Sequence, residues 1–148
     1  MIEGRKVAEN GPTLPVAAIP LGVLPMSTLH HRTVVANGIN IHFAEQGSGP
    51  LVVLCHGFPE GWYSWRHQLP ALAAAGYRVV APDQRGYGRT DHPERIEDYD
   101  IFRLTGDIVG LVQALGEDRA VVVGHDWGAP VAWHWPCSAR TSFAPCRS

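Results

Sequence analysis

VVVGHDWGAP, Val121 to Pro130, is the stretch on which the fold turns. With Ala120 its valines make an apolar run of strand length, and APVAW, residues 129–133, suits a helix. Between them Gly124 and Gly128 flank His125, Asp126 and Trp127. A glycine-x-nucleophile-x-glycine turn between a buried strand and a helix is a nucleophile elbow. The turn is tight, and the glycines remove side chains that would clash in it. It lifts its central residue above the sheet and aims the next backbone N–H, here that of Trp127, at the same space. In this chain a carboxylate occupies the place that many hydrolases give to serine. The five residues GHDWG alone would also suit a glycine-bounded turn with a capping aspartate.

The residues upstream weigh for the elbow. TVV, then Asn37-Gly38, then INIHFAEQG reads as a β-hairpin, because Asn-Gly tolerates the positive φ of a type I′ turn. LVVLC, 51–55, is a continuous apolar run, as expected of a strand covered on both faces. HGFPE follows as a turn. Trp65, Leu69 and Leu72 then recur at helical spacing, with Gly76 placed to end the helix. RVVA, 78–81, is the next buried strand. After the turn-rich PDQRGYGRTDHPE, residues Leu104, Ile108, Leu111, Val112 and Leu115 form one helical stripe closed by Gly116. AVVV, 120–123, is the last strand. Buried strands alternating with helices predict βαβ units and a parallel sheet with right-handed crossovers. Ligands of such sheets gather at the carboxyl ends of the strands, where both HGFPE and GHDWG lie.

Composition narrows the functional classes. A chain of 148 residues supports at most one ordinary domain. Net charge is −2 and no basic cluster appears, which points away from nucleic acid. No apolar run approaches the roughly 20 residues that span a bilayer. Cys55, Cys137 and Cys146 have no metal-ligand spacing, and no cofactor motif is present. Their odd number favours a reducing, cytoplasmic setting.

An aspartate in the elbow changes the reaction. With an unperturbed pKa of about 3.9 it is already ionised at neutral pH and needs no base to become a nucleophile. A carboxylate suits attack on an electrophilic sp³ carbon, displacing an oxygen or a halide. The product is an alkyl ester of Asp126, which water then hydrolyses at its carbonyl carbon. Negative charge develops on the carboxyl oxygen itself, so an oxyanion hole belongs there. Its donors are the backbone N–H of Trp127 and that of Phe58 in the HGFPE loop. Hydrolysis also needs a general base, usually a histidine oriented by a carboxylate.

HGFPEGWYSWRHQLPALAAAGYRVVAPDQRGYGRTD and VVVGHDWGAPVAW resemble the α/β-hydrolase superfamily, and within it the epoxide hydrolase branch. The resemblance covers about residues 32–133. It implies Asp126 as nucleophile, the N–H groups of Phe58 and Trp127 as oxyanion hole, Phe58 and Trp127 as substrate contacts, and a cis peptide before Pro59. The implied substrate is a small epoxide opened to a diol. Haloalkane and haloacid dehalogenases are the alternative, since they too place Asp in the elbow. Trp127 could offer its indole N–H to a halide. The haloalkane branch usually adds an Asn after the HG pair, where this chain has Phe58, and that favours the epoxide branch.

The remaining candidates read as structural. The His125 side chain is expected to support the elbow and point away from the nucleophile. His56 is expected to brace its own loop and Cys55 to be an inert buried thiol. Asp83, Arg85 and Gly86 are expected to hold the loop after the third strand by local hydrogen bonds. Trp62, Tyr63 and Trp65 are expected to pack, and Tyr63 and Tyr87 do not match the family's cap tyrosines.

Both ends depart from this pattern. Residues 1–26 are expected to be a disordered, Pro-punctuated N-terminal extension that makes a poor signal peptide; IEGR could also read as a protease-site linker, and Met26 as the natural start. Residues 27–133 then form the N-terminal half of an α/β-hydrolase domain. After Trp133, the segment 134–148 resembles an out-of-frame translation, and Pro136 is expected to interrupt the elbow helix. The fold expected is a truncated α/β hydrolase, a hairpin followed by parallel strands with crossover helices. The resemblance implies a cap, further C-terminal strands, an acidic triad member and a late histidine, and these are expected to be missing from this chain. The expected consequence is a chain inactive in turnover, or a non-catalytic fragment.

Overall fold

The computed structural model describes residues 28–138, the side chains of 136–138 excepted. The expected extension 1–26 lies outside the described residues, as does most of 134–148. The first strands are β1, His30–Ala36, and β2, Ile39–Gln46, joined by Asn37 and Gly38 at φ +49° and +80°. Both angles are positive, as a type I′ turn requires. β3, Leu51–Cys55, leads through a 3-10 turn at Trp62–Trp65 into helix α1, Gln68–Ala74. β4, Arg78–Pro82, is followed by α2, Ile101–Ala114, then β5, Val121–Gly124, and α3, Gly128–Ser138.

The five strands lie in the order β1-β2-β4-β3-β5. β1, β2 and β4 pair antiparallel in turn, and β3 pairs parallel with both β4 and β5. The sheet is thus a hairpin grafted on a parallel trio, the α/β architecture that the sequence predicts. β3 is buried along its whole length. Its alternate residues feed two layers. Leu51, Val53 and Cys55 join Ile108, Leu111 and Val131 of α2 and α3, while Val52 and Leu54 meet Leu69 of α1. A strand covered on both faces has no polar side to show, which is why it reads as an unbroken apolar run.

Two elements differ in extent from expectation. Trp65 belongs to the 3-10 turn and not to α1, although it packs on the same layer. Pro136 does not interrupt α3, which runs to Ser138. Interior proline forfeits one backbone hydrogen bond and crowds the preceding turn. Here Val131 and the largely buried Trp135 anchor the helix on the sheet ahead of it.

Among the described residues β5 has a strand neighbour on one side only. Its Val121 and Val123 are 59% and 39% exposed. An apolar open edge is a template for pairing between chains. Val121→Lys is therefore expected to lower self-association in sedimentation velocity without loss of the far-ultraviolet spectrum.

Candidate active site

The register of two strands builds the site. β3 and β5 are paired with Cys55 opposite Gly124, so the loops leaving their carboxyl ends emerge side by side. In the elbow, the His125 N–H donates to the Cys55 carbonyl at 3.1 Å. The Gly128 N–H donates to the His125 carbonyl at 2.8 Å and the Ala129 N–H to the Asp126 carbonyl at 2.9 Å. Asp126 sits at φ +51°, a left-handed conformation that aspartate tolerates better than most residues. A Cβ on Gly124 would collide with the Gly128 carbonyl, and one on Gly128 with the Cys55 and His56 carbonyls. Both glycines are therefore set by close backbone packing.

The HGFPE loop meets the elbow at Asp126. The Phe58 N–H donates to Asp126 Oδ1 at 3.0 Å across a sequence separation of 68. The peptide before Pro59 is cis, as the resemblance implies. Hydrogen bonds from the Phe58 N–H, and next from the Trp127 N–H, hold the Asp126 carboxyl below its usual range. The carboxyl is fully exposed, so it is ionised and open to solvent at neutral pH. The structure thus brings Asp126, Phe58 and Trp127 together.

Gly57 permits this approach. A Cβ there would lie 2.5 Å from the Asp126 Cβ and 2.8 Å from its Oδ1. Gly57→Ala is expected to push the loop away, weaken the Phe58 donor and raise the Asp126 pKa toward the ordinary 3.8. Carboxyl-carbon NMR titration measures this.

The loop is stapled at both ends. His56 is buried and lies 2.8 Å from the Gly57 carbonyl through Nδ1, while its Nε2 accepts the Gln84 N–H at 2.9 Å. That pairing fixes the Nδ1–H tautomer, and burial lowers the pKa of the ring. At the far end the Trp62 N–H donates to Asp83 Oδ1 at 2.9 Å. Within the loop Glu60 Oε2 accepts the Gly57 N–H at 3.2 Å. His56 thus braces its loop, as expected.

Asp83 holds its own loop as expected and also reaches a distant strand, while Arg85 departs from expectation and reaches a distant helix. Asp83 Oδ2 accepts the Arg89 N–H at 3.1 Å and lies 2.8 Å from His42 Nδ1 on β2. Arg85 makes a fork of 2.8 and 2.7 Å to Asp107 on α2, both side chains buried. Sequence separation hides such partners, since turn chemistry reports only near neighbours.

Phe58 and Trp127 turn their side chains outward, 64% and 65% exposed. With Tyr87, Tyr99, Leu104 and Arg85 they line an open cleft of about 330 Å³. Tyr99 and Leu104 were not legible as site residues, because tertiary packing alone brings α2 and the turn before it here. Tyr87 lies in the DQRGYGRT loop, and that motif was the available clue. Its phenol pKa is raised by burial and then by the Asp126 charge. Tyr63, expected to pack, is 62% exposed under the Arg66 guanidinium. Trp62 does pack, edge-on to His31 at 4.7 Å.

His125 turns into a second cleft, of about 250 Å³, with Glu60, Ser64, Trp65 and Gln68. Its Nδ1 lies 3.7 Å from Glu60, and its backbone does the bracing of the elbow. Cys55 is buried, with its thiol pushed up to about 12 by burial. No group of three or more His, Cys, Asp or Glu among the described residues is arranged to hold a metal ion. No helix among them is long and apolar enough to cross a membrane.

Residues 50–144 match the family model of the alpha/beta hydrolase fold. Epoxide hydrolase A of Mycobacterium tuberculosis is 60% identical over 107 residues, which are 71% of this chain and 33% of that protein. Epoxide hydrolase 2 of Siraitia grosvenorii is 53% identical over 110 residues, 74% of this chain and 35% of its own length. The crystal structure of an epoxide hydrolase from Vigna radiata superposes with a TM-score of 0.71 at 57% identity, covering 72% of this chain and 33% of that one. The chain thus spans about a third of the length of these relatives. The mixed sheet, the elbow and these matches agree: the chain belongs to the α/β hydrolase fold family, and its sequence is that of an epoxide hydrolase-like member.

Proposed function

We propose that this chain carries the nucleophilic half of an epoxide hydrolase site. The observation that carries the reading is the Asp126 carboxylate, raised by the elbow and held by the Phe58 N–H at 3.0 Å. In this reading Oδ1 rests in the oxyanion hole and Oδ2 attacks a ring carbon. The carbon–oxygen bond of the epoxide breaks, and its oxygen takes up a proton from an acid or from water. An alkyl ester of Asp126 results. Water then adds to the ester carbonyl, and the charge on Oδ1 is met by the Phe58 and Trp127 N–H groups. Collapse of that intermediate expels the diol and restores the carboxylate. The flanking aromatic and leucine side chains of the cleft suit an apolar substituent on the epoxide.

Two features bear on the branches of the reaction. Phe58 offers a halide no side-chain donor, which favours an epoxide over a haloalkane. Among the described residues both histidines nearest the elbow are otherwise engaged, His56 through both ring nitrogens and His125 beside Glu60. Alkylation of Asp126 by these 148 residues is therefore expected to outrun ester hydrolysis. Styrene oxide serves as the probe, with peptide mapping by mass spectrometry. The expected adduct sits on Asp126, with diol release no greater than about one equivalent per chain. Sustained release abolished by Asp126→Ala would overturn the expected stall. Faster labelling by an alkyl bromide than by the epoxide would favour the dehalogenase reading.

A further inference from the structure

A closed ring of contacts ties the start of β1 to the loop that carries the Phe58 N–H. His42 and Asp83 are both buried, with His42 Nδ1 2.8 Å from Asp83 Oδ2. The other nitrogen of His42, Nε2, lies 3.1 Å from Nδ1 of His31 on β1. The two rings are parallel within 5°, with centroids 5.2 Å apart. His31 in turn meets the Trp62 ring edge-on at 4.7 Å. Trp62 closes the circuit, because its N–H donates to Asp83 Oδ1.

The chemistry of the nitrogen–nitrogen contact limits how many protons the ring can hold. His42 Nδ1 faces a carboxylate and carries a proton. The gap between His42 Nε2 and His31 Nδ1 accommodates one further proton, donated from either side. With both imidazoles neutral that proton sits on His31. With one extra proton the pair shares a single positive charge beside Asp83, and the gap still holds one proton. When both rings are imidazolium, two N–H groups point at each other and the bond is lost. The charged groups facing the pair are Asp83 and Arg89, from the loop after β4. The 3-10 turn packed on it contributes the neutral Trp62 ring, and Thr90 Oγ1 accepts the His42 N–H at 3.0 Å.

We propose that the His31–His42 pair is a proton-counting clamp on the oxyanion loop: a single proton in the shared gap holds the loop through Asp83 and Trp62, and double protonation loosens it. His42 and His31 are then positioning residues, acting on Asp126 only through Phe58. The inference concerns the position of the loop and stands apart from the identity of the electrophile. It agrees with the lowered pKa of His31, set by burial first and then by His42 and Arg89.

Amide and imidazole NMR of the 148-residue chain tests it. From about pH 8 to about pH 5, spanning ordinary histidine titration, the Phe58 amide is expected to show an inflection. Its midpoint should match that of the second protonation of the pair. In His31→Phe, which removes the shared gap at an exposed edge position, that inflection is expected to vanish while spectral dispersion persists. An inflection that survives in His31→Phe would assign it to His125 or His56 and overturn the proposal. So would wild-type His31 and His42 rings that titrate independently, with no tautomer shift at His31. Neither readout requires turnover, so failure here and failure of the epoxide reading are told apart.

Discussion

Asp126→Asn is expected to abolish labelling by an epoxide, slowing ester formation by at least about 10⁴-fold, the scale of losing a hydrolase nucleophile. A neutral amide has the same shape as the carboxylate and would keep the elbow intact. Folding is therefore not what the substitution removes. What goes is the anionic oxygen that attacks carbon in the proposed reaction, together with part of the charge that the Phe58 and Trp127 N–H groups meet. The measurement is the rate of adduct growth by intact mass. The pH dependence of labelling is a second expected result. Because the hydrogen bonds hold the Asp126 carboxyl below its usual range, the nucleophile stays ionised well into acid. In His31→Phe, which lacks the shared histidine gap, labelling should be level from about pH 8 to about pH 5 and decline only as the pH falls through the lowered pKa. A rate that already halves near pH 6 in that variant would place a different titrating group in control.

Arg85→Ala is expected to destabilise the fold by about 3–5 kcal/mol, the usual penalty for removing one partner of a buried ion pair. Stability of a whole domain is only about 5–15 kcal/mol, so the substitution would remove a large share of it. Asp107 would be left buried with the Asn37 Nδ2 donor at 2.7 Å and no cation. Replacing both partners with apolar residues, Arg85→Met with Asp107→Leu, should recover most of the loss, because no buried charge is then stranded. Urea denaturation followed by circular dichroism gives both values. The pair joins the loop after β4 to α2, and Asn37 brings in the hairpin turn, so its loss should reach all three elements.

The parts of this molecule that were legible in the sequence are those whose cause is local. The elbow is set by two glycines and the residues between them. LVVLC marks β3 at its true bounds, because burial on both faces leaves no polar position to blur the ends. The start of α2 was less visible. Its apolar stripe begins at Leu104, yet the helix begins at Ile101, because Phe102 and Arg103 face solvent. Asp100 was the available clue, since its carboxylate caps the Phe102 and Arg103 N–H groups at 2.8 and 2.9 Å. Three-dimensional partners were not legible. DQRGYGRT reads as a turn, but Asp83 reaches His42 on β2 and Arg85 reaches Asp107 on α2. Likewise nothing in the spacing of Tyr99 and Leu104 announces a cleft beside Asp126.

The pairing of β5 on β3 has a consequence for the order in which the site comes into being. The residues that staple the two ends of the HGFPE loop, His42, Asp83 and Gln84, precede β5 in the chain. The loop can therefore be in place before Asp126 arrives. Asp126 then docks as an internal ligand, brought to its donors by the closure of a segment of more than sixty residues. Such a distant contact is slow to form compared with a hairpin or a single helix. In a refolding experiment the Phe58 amide should reach its native position with the last phase, after β1, β2 and β4 have become protected from exchange. Chemical competence would then be the final property this chain acquires as it folds.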